Sequence, residues 1–131
     1  MKLYRTLCYV AAAALIYSFV QHLLNAGATV DMGLEASLAA QVVARRMSIF
    51  PLGLAAMLIL STAIRDAAAR FLIGLSAAII MVAYAGLGIY ELAIGTVNMS
   101  MLVPVIIELV LGGLFLVACI RMRKAHASGR R

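Results

Sequence analysis

Four long apolar runs constrain what this chain can become more than any other feature. They are "TLCYVAAAALIYSFVQHLL" (residues 6–24), "MSIFPLGLAAMLILSTAI" (47–64), "FLIGLSAAIIMVAYAGLGIYELAIG" (71–95) and "MLVPVIIELVLGGLFLVACI" (101–120). Each falls within the roughly 17–25 residues that a helix needs to cross about 30 Å of hydrocarbon. The runs are continuous and do not alternate, which favours helices over the strands of a barrel. A helix also satisfies every backbone polar group within its own segment. With 66% hydrophobic residues, 12% charged residues and a mean hydropathy of +1.09, 131 residues could not hide this surface in a soluble core. The expected fold is an all-α integral membrane protein, a four-helix transmembrane up-and-down bundle forming a single domain. The brief connections "RDAAAR" and "TVNMS" make sequential helices antiparallel neighbours.

The net charge of +6 is topological in origin. Lys2, Arg5, Arg65, Arg70, Arg121, Arg123, Lys124, Arg130 and Arg131 fall on one side of a four-span chain, and only Arg45 and Arg46 on the other. This bias predicts that both termini are cytoplasmic. The basic residues flank apolar runs and do not form a patch with interleaved aromatics, so nucleic acid is not an expected partner. The tail "RMRKAHASGRR" (121–131) reads as an anchor on anionic headgroups. "MKLYR", the first run and "NAGA" also have the make-up of a cleavable signal peptide. The run is longer than the usual apolar region of about 7–15 residues, which favours retention as a span.

Leu34, Leu38 and Val42 in the first connection repeat at helical spacing, which predicts a short outer amphipathic helix between spans one and two. Pro51 lacks an N–H for the carbonyl of Met47, so a break is expected near residues 48–51. Cys8 and Cys119 form no C-x-x-C pair and are read as small packing residues.

Polar residues inside the spans gather at one depth, in the outer half. Ser18, Gln21, His22 and Asn25 make a stripe on the first span; Tyr84, Gly88, Glu91 and Gly95 share a face of the third; Glu108 shares one with Pro104 and Gly112 on the fourth. Glycines on those faces let helices approach closely. The inner halves ("CYVAAAAL", "AMLILS", "GLFLVAC") are read as an apolar plug beneath an outward-opening polar pocket. The candidate ligand-binding residues are His22, Arg46, Tyr84, Glu91 and Glu108. An unpaired carboxylate near the bilayer centre costs about 2.5–3.5 kcal/mol, so Arg45 or Arg46 is expected to pair with Glu108 or Glu91, with His22 as second choice; Arg46 and Glu108 are the expected structural ion pair. No catalytic residues, cofactor or metal site are expected: the second histidine, His126, lies in the tail, too remote for a bis-histidine site with His22.

"VARRMSIFPLGLAAMLIL" and "AGLGIYELAIGTVNMSMLVPVIIELVLGG" resemble the second helix and the third-to-fourth-helix stretch of the DoxX-like superfamily of small bacterial membrane proteins. The resemblance covers residues 44–113, and the chain departs from it at Tyr90–Glu91, where many members carry a basic residue. It implies a four-helix fold in a bacterial inner membrane, association with a quinone-linked oxidoreductase, and roles for Arg46 and Glu108. The leading expectation is a small non-enzymatic protein, either an accessory subunit of a larger membrane complex or a binder of a lipid- or quinone-like molecule. A second copy of the chain is a further candidate partner. The alternative is a small proton-coupled multidrug-type transporter, although that class keeps its key glutamate in the first span, where this chain has none. A headgroup-modifying enzyme using Glu108 and His22 has no supporting motif.

Overall fold

The computed structural model describes residues 2–24, 42–43 and 46–128. Among these residues the fold is all-α, with four helices: α1 (Lys2–Leu24), α2 (Ile49–Ser61), α3 (Ala67–Ala93) and α4 (Leu102–Ser128), the last preceded by a 3-10 turn at Met99–Met101. Three segments, Lys2–Leu24, Ala67–Ala93 and Met99–Lys124, are long and apolar enough to cross a membrane. The chain is therefore described as a multi-pass membrane protein. The outer amphipathic helix expected between spans one and two, and Arg45, lie outside the described residues, apart from residues 42 and 43, which are helical.

The second span is shorter than its apolar run. At 13 residues α2 is about 20 Å long. A turn at Ser48 separates it from the helical residues 46 and 47. Pro51 sits in its first turn, where the missing N–H leaves an already unpartnered position. At the other end, the Ser61 and Thr62 hydroxyls donate to the carbonyls of Leu58 and Ile59, both at 2.7 Å. Thr62, Ala63 and Ile64 donate three residues back, to Ile59, Leu60 and Ser61. These bonds wind the chain into a tight turn before Asp66, whose carboxylate accepts the Ala68 N–H at 2.9 Å and caps α3. Arg70, read from sequence as a topology signal, is buried. Its guanidinium donates to the carbonyls of Arg65 and Asp66 at 2.9 and 3.4 Å.

The third helix also stops short of its apolar run. Gly95 adopts φ +73°, and Gly95 and Thr96 donate to the Leu92 and Glu91 carbonyls, a Schellman cap. Gly95 is therefore part of the turn and not of a helical face. The fourth helix runs the other way and continues through residues 121–128, which the sequence reading assigned to a tail.

Helix α1 packs mainly on α2, and α3 on α4; contacts between α1 and α4 and between α2 and α3 are thinner. Glycine sets the α3–α4 distance: a Cβ on Gly88 would stand 2.5 Å from Val105 Cγ2, and one on Gly112 3.0 Å from Val82 Cγ2. The buried core includes Tyr4, Leu7, Cys8, Leu58, Phe115 and Ala118. All of these lie in the half of the bundle that carries the N-terminus and the α2–α3 turn, here called the closed half.

Candidate functional site

Each helix turns one stripe inward. On α1 this stripe is Tyr4, Cys8, Ala11, Leu15, Ser18 and His22, at three- and four-residue steps. In the closed half it meets α2, α3 and α4 directly. Tyr4 stacks edge-on against Phe115, with centroids 6.4 Å apart and planes at 81°. In the other half the helices do not close, and Ala11 and Ala14 on α1 and Gly53 on α2 are among the small residues that line the space between them. The result is a cleft of about 1020 Å³ walled by all four helices.

The closed half is not the wholly apolar plug expected from sequence. Tyr4 donates its hydroxyl to Ser61 Oγ at 3.0 Å, and Cys8 Sγ lies 3.6 Å from the same oxygen. Tyr9 and Thr62 pair at 3.3 Å. Because the Thr62 hydroxyl hydrogen is already given to Ile59, Tyr9 is the donor. Cys119 donates to the Phe71 carbonyl, and both cysteines are free and buried. This network ties α1 to α2, and α4 to α3, beneath the cleft floor.

Three of the five candidate binding residues meet in the cleft wall: His22 from α1, Tyr84 from α3 and Glu108 from α4. The other two do not. Arg46 is exposed, ahead of the turn at Ser48, and is not part of the wall. Glu108 stands six residues inside α4, about 9 Å along its axis. Among the described residues no ion pair joins Arg46 to Glu108, and Glu108 Oε2 is buried without a hydrogen-bond partner there. Glu91 points the same way as Tyr84 but lies seven residues further along α3, about 10 Å nearer the helix end, beyond the cleft. Helical periodicity captured its direction and missed its height.

The His22 Nδ1 lies 2.7 Å from the Ser18 carbonyl. A carbonyl only accepts, so Nδ1 carries the proton and Nε2 of the neutral ring is left as an acceptor. Most of the remaining wall is apolar, including Leu15, Leu54, Met57, Met81, Ile107 and Leu111. The mouth carries Tyr17, Phe50, Tyr84 and Val103, all more than half exposed; the space is thus a cleft open to its surroundings. Sequence reading missed Tyr17, Phe50 and Met57, because apolar residues inside a span have the same composition whether they face lipid or a cleft. The one available signal was Gly53, a small residue on the inward face of α2.

No protein-family model, curated protein or solved structure matches this chain.

Proposed function

We propose that this protein binds an amphiphilic molecule of lipid- or quinone-like shape inside the membrane and performs no chemistry on it. The observation that carries this reading is the cleft of about 1020 Å³. Its volume is at the upper end of the roughly 300–1000 Å³ typical of ligand sites. Apolar walls and one buried carboxylate oxygen without a protein partner suit a ligand that is mostly hydrocarbon with a single polar group. The resemblance to DoxX-like proteins agrees with an accessory role in a larger complex of a bacterial inner membrane. The distribution of basic residues supports cytoplasmic termini.

The test is native mass spectrometry of the protein extracted in a mild neutral detergent. A Cβ on Gly53 would meet nothing within 4 Å and Gly53 lines the cleft, so Gly53→Phe is chosen to place a ring in that space. The wild type is expected to retain a lipid-sized adduct and Gly53→Phe to lose it while remaining folded, as circular dichroism would show. A wild type that carries no adduct, or an adduct indifferent to the filled cleft, defeats the proposal.

A further inference from the structure

The charges in the cleft wall specify more about the ligand than its shape does. Among the described residues, Glu108 is the single acidic side chain in the wall and no lysine or arginine lines it. Arg46, the described cation nearest in sequence to α2, is exposed and outside it. Besides Glu108 the wall carries the polar side chains of Tyr17, Ser18, Gln21, His22 and Tyr84, and the His22 Nδ1 proton is committed to the Ser18 carbonyl. Among the described residues the site thus holds one carboxylate and no lysine or arginine to balance it.

Three kinds of head can be compared. A phosphate or carboxylate would bring a second negative charge beside Glu108, in surroundings where little water screens it. An acceptor-only head, such as an ester or a quinone carbonyl, brings no positive charge to Glu108 and takes a hydrogen bond from it only through a carboxyl proton. A protonated amine supplies both the opposite charge and up to three donors. The levels of the wall residues fix its direction. Glu108 lies three residues from Leu111, the deepest wall position on α4, about 5 Å. Phe50, Tyr17 and Val103 stand at the mouth. A head on Glu108 therefore sits deep, with its apolar body leading outwards.

We propose that the cleft selects a cationic amphiphile, a protonated amine seated on Glu108 with its hydrocarbon directed along Leu54 and Ile107 towards Phe50 at the mouth. This rests on the reading of the cleft as an amphiphile site and goes beyond it in fixing the head. An ammonium on a buried carboxylate forms a charge-assisted hydrogen bond, the stronger class of such contacts.

The experiment offers one tail with three heads: dodecylammonium, dodecanol and dodecyl phosphate, each below its micellar concentration, to the full-length protein in a neutral maltoside detergent. Adducts are counted by native mass spectrometry. Dodecylammonium is expected to exceed dodecyl phosphate by about tenfold or more. Glu108→Gln should bring dodecylammonium down to the dodecanol level without changing dodecanol, Glu108→Asp should restore the preference, and Gly53→Phe should lower all three. Equal retention of the three heads by the wild type, a preference for the phosphate, or dodecylammonium retention unaffected by Glu108→Gln overturns the assignment of the head. Retention unaffected by Gly53→Phe overturns the reading of the cleft itself, so the two failures are distinguishable.

Discussion

Tyr4 joins three helices through one side chain. Its hydroxyl donates to Ser61 on α2, its ring meets Phe115 on α4, and Gly74 on α3 clears the space beside it, since a Cβ there would lie 3.1 Å from Tyr4 Cε2. Tyr4→Phe removes only the hydrogen bond and should cost about 1 kcal/mol. Tyr4→Ala also removes the ring and should cost about 3–5 kcal/mol. Thermal unfolding in mild detergent, followed by circular dichroism, measures both; equal losses would mean that the ring contributes nothing. Little of this was legible beforehand. Tyr4 precedes the first apolar run, and Ser61 is a lone hydroxyl inside another, 57 positions away. Glu108 was legible as an anomaly, because a charge inside an apolar run is visible without a structure. Whether Arg46 reaches it depended on side-chain height, which a linear pattern does not encode.

Glycine plays opposite parts in two helices, and the contrast can be measured. Gly88 is the point where α3 meets Val105 of α4, so Gly88→Ala must push the pair apart and should lower stability by about 1–3 kcal/mol. Gly53 has open space at its Cβ, so Gly53→Ala should raise stability by up to about 1 kcal/mol, the usual gain in a helix interior. Melting temperatures of the two variants should move in opposite directions; a common direction would contradict the packing described. The existence of the helices was legible because each apolar run has a length that lipid requires. Their ends were not. Those of α2 and α3 are set by hydroxyl back-bonding at Ser61 and Thr62 and by the positive φ of Gly95. That of α4 lies beyond the apolar run, since a helix continues into water wherever its residues allow it. The glycine-mediated approach of α3 and α4 was anticipated from Gly88 and Gly112.

At the scale of the molecule, two helix pairs are locked together at one end and stand apart at the other. Small inward residues and the unequal lengths of the helices accompany this shape. The lengths have a consequence for the surrounding bilayer. Helices α3 and α4, of 27 residues each, exceed the membrane's hydrocarbon thickness, whereas α2 falls about 10 Å short of it. Lipid beside a short helix thins or draws in its headgroups, at a cost of fractions of a kcal/mol per Å of mismatch. That dimple would form along the same side of the molecule as Phe50 and the cleft mouth, shortening the path from headgroup level to Glu108. Reconstitution into bilayers of graded acyl-chain length should therefore give the highest melting temperature in the thinner ones, with stability falling as thickness grows. The short α2 would in this way tie the stability of the fold to the thickness of the membrane around it.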